Sequence, residues 1–325
     1  MTAADFNRVI IGDCREILPL LPEAMFQCCV TSPPYWLLRD YGHTSQLGME
    51  PTPDAYVEAL VGVFSLVRRV LRDDGTLWLN IGDSYASSAG VGQGKNSKFL
   101  DRKAARIGVR EQKQTKVTGG LKPKDLCGIP WRVALALQAD GWYLRSDIIW
   151  AKTNPMPESV TDRPTKAHEY VFLLAKSERY FFDAGAIMEK ATHAGRVLDY
   201  TGEQKANDAD PTRQRTRPRG RKITVGDTRN ARSVWSVPSQ GYDGAHFATM
   251  PPRLAERCIL AGSRIGTAVL DPFMGSGTVG LSAESLGRRW LGCELNAQYE
   301  TLVRSRTAQI GLPWSEQAQM AVDQE

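Results

Sequence analysis

Histidine and cysteine are scarce in this chain of 325 residues, and neither is clustered. The six cysteines (Cys14, Cys28, Cys29, Cys127, Cys258, Cys293) contain no C-x-x-C pair. Over this length that excludes a disulfide scaffold and points to reduced thiols of a cytoplasmic protein. The four histidines (His43, His168, His193, His246) are equally dispersed, so no metal centre is expected. No apolar run approaches the roughly 18 residues that span a bilayer, so no membrane partner is expected. The start, "MTAADFNRVIIGD", has no basic stretch followed by an apolar one, so no signal peptide is expected. There is no internal repeat.

Charge of one sign is also in short supply overall, with a net charge of +5. Its distribution is uneven. Residues 95–124 hold ten Lys/Arg against two acids, and residues 205–232 hold nine against three. Together these segments carry +14, which leaves about −9 on the rest. Two basic segments on an acidic body form the electrostatic footprint of a polyanion binder.

An apolar content of 42% supports a sizeable core. Strand-like and helix-like segments alternate. "RVIIGD", "QCCVTSPPYW" and "TLWLNIGD" read as strands. Residues 51–75 carry Tyr56, Leu60, Val63, Phe64, Val67 and Leu71 at helical spacing, with an end at Asp74-Gly75. After the first basic segment come a helix ("GIPWRVALALQADG") and strands ("YLRSDIIWAK", "HEYVFLLAKS"). This alternation predicts an α/β fold with a mostly parallel, doubly wound sheet. Residues 190–240 are polar, arginine-rich and without periodicity. Order returns at "PPRLAERCILAGS", and the following stretch reads strand, glycine-rich turn, helix, strand, helix.

Two short stretches carry chemistry. In "CVTSPPYW" two prolines follow a strand end. Proline lacks an N–H and has a fixed φ, so the corner is rigid and poor in donors. It sets a hydroxyl (Ser32) beside two rings (Tyr35, Trp36). In "VLDPFMGSGTVG", Gly275, Gly277 and Gly280 keep G-x-G-x-x-G spacing between a strand and a helix. The next strand ends fourteen residues later in Glu294. Such a turn admits close approach of a nucleotide or nucleoside, and the acid suits ribose hydroxyls. The spacing alone does not separate NAD from S-adenosylmethionine. Asp271 and Phe273 favour the latter: a carboxylate suits an ammonium group, and an aromatic face suits a sulfonium.

Together the two motifs resemble those of the DNA amino-methyltransferases, which methylate N4 of cytosine or N6 of adenine. Thr31-Ser32-Pro33-Pro34-Tyr35-Trp36 is similar to the family's catalytic motif. Asp271-Pro272-Phe273-Met274-Gly275-Ser276-Gly277-Thr278 is similar to its cofactor motif. The catalytic motif comes first, as in the circularly permuted β group. The resemblance covers roughly residues 5–85, 128–184 and 245–305. It implies a Rossmann-like S-adenosylmethionine-dependent methyltransferase fold. Residues 1–85 and 128–184 would form its catalytic part and 245–325 its cofactor-binding part. Residues 86–127 would be a basic insertion, and 185–244 the target-recognition region.

The resemblance also implies roles for single residues. Ser32 and the Pro33 carbonyl would accept the two hydrogens of an exocyclic amino group, freeing a lone pair otherwise conjugated with the ring. Pro34 would stiffen the corner, and Tyr35 would stack on a flipped base. Trp36 and His168 would complete the base pocket. Asp13, Phe247, Asp271, Phe273, Gly275, Gly277, Thr278 and Glu294 would hold S-adenosylmethionine. Lys113, Lys116, Arg213, Arg215, Arg217, Arg219 and Arg221 would contact DNA. Asp83 is open between a site acid and a turn acid. The expected partner is double-stranded DNA, and a homodimer and a cognate restriction nuclease both stay open. Ser32 leans toward N4-cytosine, because an Asp there usually marks an adenine enzyme; N6-adenine remains the alternative. An NAD-dependent oxidoreductase, RNA methylation and a catalytically silent DNA-binding module are the more distant readings. A bacterial or phage-encoded cytoplasmic protein is expected.

Overall fold

A computed structural model describes residues 5–38, 43–86, 120–199, 222–240 and 250–307. The described residues fall into two compact units, one of them Ala184–Arg232.

In the larger unit, β1 (Arg8–Ile11) leads to the one-turn helix α1 (Cys14–Ile17), followed by a 3₁₀ turn (Leu18–Leu20). Then come β2 (Phe26–Thr31), α2 (Pro53–Val70), β3 (Leu71–Ile81), α3 (Ile129–Ala139), β4 (Tyr143–Ala151) and β5 (His168–Ala175). The smaller unit holds two antiparallel pairs: β6 (Glu189–Lys190) with β9 (Thr228–Arg229), and β7 (Val197–Asp199) with β8 (Lys222–Thr224). Within that unit the Glu189 carboxylate accepts from Arg229 at 3.5 Å and from Arg232 at 2.9 Å. The larger unit resumes with β10 (Val234–Ser236), α4 (Pro252–Gly262), β11 (Ala268–Asp271), α5 (Thr278–Ser285), β12 (Arg289–Glu294) and α6 (Gln298–Thr307).

Eight strands form one sheet in the order β1-β12-β11-β2-β3-β5-β4-β10. All neighbours are parallel except that β5 runs against both β3 and β4. The alternation of strand and helix predicts the parallel part. β4 connects to β5 through residues 152–167 without a crossover helix, the usual route of a parallel return, and β5 comes back antiparallel. Helices α2 and α3 pack together on one face, where Leu77, Leu79, Ile81, Phe172 and Leu174 join the core. α4 packs against β2 and β3 and α5 against α4, with α6 further along. Gly262 of α4 lies so close to β2 and β3 that a Cβ there would collide with the Trp78 indole nitrogen.

The long helix α2 starts where the Thr52 side chain caps the Ala55 N–H and Pro53 supplies a ready-made first turn. It stops at Val70, four residues before the Asp74-Gly75 end that its periodicity predicts. Leu71 turns extended and pairs with Phe26, so the last apolar residue of the helical pattern belongs to the sheet. Tertiary pairing overrides a local period here. All six cysteines are free and buried. No helix among the described residues is long and apolar enough to cross a membrane.

Candidate active site

The strand order reverses between β11 and β2. From β11 the chain winds outward to β12, while from β2 it winds to β3. Loops at the carboxyl ends of strands on either side of such a point must diverge, and the crevice between them is where α/β proteins bind ligands. A cleft opens there. Its lining includes Asp13 after β1, Ser32–Tyr35 after β2, Asp271–Ser276 and Thr278 after β11, and Glu294–Asn296 after β12. Asn80, Trp150 and Glu169 form a further wall. β5 runs backwards, so its first residues reach the same rim. The proline corner and the glycine turn, 240 residues apart, therefore share one cleft.

They are also bonded to each other. The Thr31 hydroxyl donates to Asp271 Oδ1 at 2.6 Å, and the Phe273 N–H donates to the same oxygen at 3.0 Å. Asp271 is only 3% exposed. Burial lifts its carboxyl to about 7, against the pull of these two donors and with a further push from Glu294. Glu294 is likewise raised by burial, although it accepts the Gly275 N–H at 2.7 Å and the Asn296 N–H at 2.9 Å. Each oxygen keeps lone-pair capacity for a ligand hydroxyl. Asp13 caps α1 and is clasped by Arg15, with contacts at 2.6–3.1 Å. Burial opposes ionisation there, but the Arg15 bonds and charge outweigh it and hold the carboxyl below its usual range.

The three motif glycines divide their work. Gly275, at φ +51°, has among the described residues only one neighbour within reach of a Cβ, so its face is open to the cleft. A Cβ on Gly280 would meet Met274 at 2.5 Å and Trp290 at 2.9 Å, so this glycine exists for helix–strand packing. Gly277, expected to touch the cofactor, is corrected by the structure. At φ +83° it faces Val303, 3.1 Å from a Cβ, and does not line the cleft. It shapes the turn into α5. Behind that turn the buried Arg306 donates to the Ser276 carbonyl, the Ser276 hydroxyl and the Thr278 hydroxyl at 2.8–3.2 Å.

The proline corner is held from several sides. The Pro34 carbonyl accepts from the Tyr56 hydroxyl at 2.7 Å, while among the described residues no hydrogen bond falls on the Pro33 carbonyl. The Tyr35 ring lies over Gly82, where a Cβ would come within 2.6 Å of it. The Tyr35 hydroxyl donates to Glu169 Oε2 at 2.5 Å. Burial, reinforced by the Glu169 charge, raises the phenol well above its normal range, so it stays a neutral donor.

Two base-pocket expectations are corrected. Trp36 is 1% exposed and its indole N–H is tied to the Glu50 carbonyl, so it packs the core and does not line the cleft. His168 does not line it either. Side chains on a strand alternate, and His168 shares the far face with Tyr170, edge-on at 5.5 Å, while Glu169 faces the cleft. Asp83 proves structural, because it accepts the Gly128 and Ile129 N–H groups at 3.1 Å and so caps α3. Phe247, Lys113, Lys116, Arg213, Arg215, Arg217, Arg219 and Arg221 lie outside the described residues.

Sequence reasoning missed Asn80, Trp150 and Glu169. For Asn80 and Glu169 the signal was a polar residue among apolar ones in a strand, "TLWLNI" and "HEYVFLLA"; Trp150 carried none. A polar group there is kept only when partners satisfy it. The lining carries four carboxylates (Asp13, Glu169, Asp271, Glu294) and, among the described residues, no Lys or Arg. Such a cleft suits a cationic nucleoside better than an anionic pyrophosphate.

Fold and cleft thus define a doubly wound nucleoside-binding α/β protein. Residues 26–305 match the family described as DNA methylase. The Type II methyltransferase M.SmaI of Serratia marcescens is 46% identical over 299 residues, which span 92% of this chain and 90% of that protein. M.Cfr9I of Citrobacter freundii is 44% identical over 295 residues, spanning 91% and 85%. Among solved structures, the cytosine-N4-specific PvuII DNA methyltransferase superposes with a TM-score of 0.62 at 18% identity, covering 94% of this chain and 87% of that one. A putative DNA modification methylase from Thermus thermophilus, complexed with S-adenosyl-L-methionine, gives 0.56 at 24% identity over 94% and 95%. At these identities the structural likenesses establish the fold. The chain belongs to the DNA methylase family, the amino-methyltransferases that its two motifs resemble.

Proposed function

We propose that this protein transfers a methyl group from S-adenosylmethionine to the exocyclic N4 of cytosine in duplex DNA. The observation that carries the reading is the single acidic cleft shared by the two motifs and fastened by the Thr31–Asp271 bond. Ser32, in place of an acid, supports cytosine over adenine. The relatives named Type II methyltransferases support a modification role alongside a cognate nuclease.

The residues present fit a sulfonium nucleoside. Gly275 offers an open backbone face, and Asp271, Glu294 and Asp13 supply negative charge and hydroxyl acceptors around it. The Phe273 ring adds an aromatic surface. When bound, S-adenosylmethionine supplies an electrophilic methyl group; the remaining work belongs to the chain. With the Pro34 carbonyl taken by Tyr56, the Pro33 carbonyl is the acceptor of the corner and Ser32 Oγ the second. Two fixed acceptors on the amino hydrogens favour a pyramidal nitrogen with a free lone pair. Tyr35 stacks on the extruded base. The arginines and lysines of the two basic segments contact phosphates.

Incubation with labelled S-adenosylmethionine and duplex DNA tests this reading, and label should enter DNA. Cofactor binding without transfer to any DNA would contradict it. DNA affinity should fall steeply with salt, and a flat response would remove the basic segments from the interface.

A further inference from the structure

The wall opposite the glycine turn contains a hydrogen-bonded chain that neither motif describes. Tyr35 has a single hydroxyl proton and gives it to Glu169 Oε2 at 2.5 Å. The direction of the chain is set at its far end. Glu169 is clamped by Lys152 Nζ on Oε1 at 2.6 Å and by Asn80 Nδ2 on Oε2 at 3.1 Å. Lys152 in turn sits over the Trp150 ring at 4.8 Å, and Asn80 Nδ2 is shared with the Tyr170 carbonyl at 3.1 Å. With three donors converging on it, Glu169 can only accept. The Tyr35 hydroxyl is therefore held as a donor toward it.

We infer that Glu169 is a positioning residue. By accepting from the Tyr35 hydroxyl, it fixes the ring on which the base stacks beside the Ser32 and Pro33 acceptors. The inference rests on the amino-methyltransferase reading above and deepens it. Without Glu169, the Tyr35 hydroxyl loses this acceptor and the ring is free to tilt out of the stacking position.

The test is a double-mutant cycle on the full-length protein, read as single-turnover methylation of duplex DNA with S-adenosylmethionine saturating. Glu169→Ala and Tyr35→Phe are each expected to slow transfer by up to about 10²-fold, the scale on which misplaced reacting groups cost rate. The double variant should be no slower than the slower single one, because both cut the same chain. Glu169→Gln, which keeps the volume and one acceptor oxygen, should fall between wild type and Glu169→Ala. Cofactor affinity should stay near wild type in all of them, with a modestly lower melting temperature in Glu169→Ala, which leaves Lys152 and Asn80 without this partner. Multiplying effects in the double variant would overturn the inference. So would loss of cofactor binding or of folding in Glu169→Ala, since a positioning role on the base side predicts both intact. If the wild-type protein itself transfers no methyl group to DNA, the underlying reading fails and the inference falls with it.

Discussion

The Thr31 hydroxyl donates to the Asp271 carboxylate at 2.6 Å, with both residues buried at adjacent strand tips. One residue introduces the proline corner and the other opens the glycine turn. The bond crosses the point where the sheet reverses its winding, so whatever binds on one side is held in register with the other. It also keeps a carboxyl where burial disfavours its charge.

That carboxyl predicts a pH dependence. Asp271 is lifted from 3.8 to about 7, so its protonated form is the one the fold prefers. Its stabilising contribution is then complete below the unfolded value and is lost as pH rises through about 7. A cationic ligand reverses the preference, because it favours the ionised carboxylate. S-adenosylmethionine affinity should therefore rise with pH up to about 7, by as much as tenfold per unit, and level off above it. Calorimetric titration between pH 6 and pH 8.5 should show proton release on binding at the acid end. Asp271→Asn should flatten the profile; an unchanged slope in that variant would assign the proton elsewhere.

Ser32→Ala should slow methyl transfer and spare cofactor binding. One preorganised acceptor is lost, and groups of this kind are worth on the order of 10²–10³ in turnover. The check is single-turnover rate against the S-adenosylmethionine dissociation constant. A collapse of cofactor binding would move Ser32 out of the base pocket.

Gly82→Ala probes the same wall without touching a polar group. The added methyl would meet the Tyr35 ring at 2.6 Å, and the ring is held at its hydroxyl by Glu169. Overpacking of this kind costs about 1–3 kcal/mol. The variant should lose methylation while retaining cofactor affinity, with a modestly lower melting temperature. Wild-type turnover would show that the ring has room to move.

Arg306→Met should act on the opposite side of the cleft. Its guanidinium holds the Ser276 carbonyl and hydroxyl and the Thr278 hydroxyl from within the protein. Leaving these groups unpaired costs about 1–3 kcal/mol per buried group. The variant should melt earlier and bind S-adenosylmethionine more weakly, with little change in the rate at saturation. A change confined to the saturated rate would contradict a role in bracing the turn.

Much of this arrangement is legible in the sequence, and the gaps have physical causes. The alternating elements and both motifs are local patterns, so the doubly wound fold, the proline corner, Asp271 and Glu294 can all be read in advance. Which side of a strand faces a cleft is not local. A period of two says that one of His168 and Glu169 points inward, and only the sheet register says that it is Glu169. Trp36 and Trp150 look alike in sequence, yet the first is tied into the core by Glu50 and the second lines the cleft. The glycines of G-x-G-x-x-G look equivalent as well, but only the packing partners separate the open Gly275 from Gly277 and Gly280. The reversed β5 depends on a connection without a helix, residues 152–167, and not on any residue of the strand.

The central claim concerns the atom that receives the methyl group. DNA methylated by this protein with S-adenosylmethionine, digested to nucleosides and analysed by mass spectrometry, tests it most directly. N4-methyldeoxycytidine is the product expected. N6-methyldeoxyadenosine would keep the reaction class but overturn the assignment of the base, and 5-methyldeoxycytidine or no methylated nucleoside would contradict the account of Ser32 and Pro33 as acceptors for an amino group.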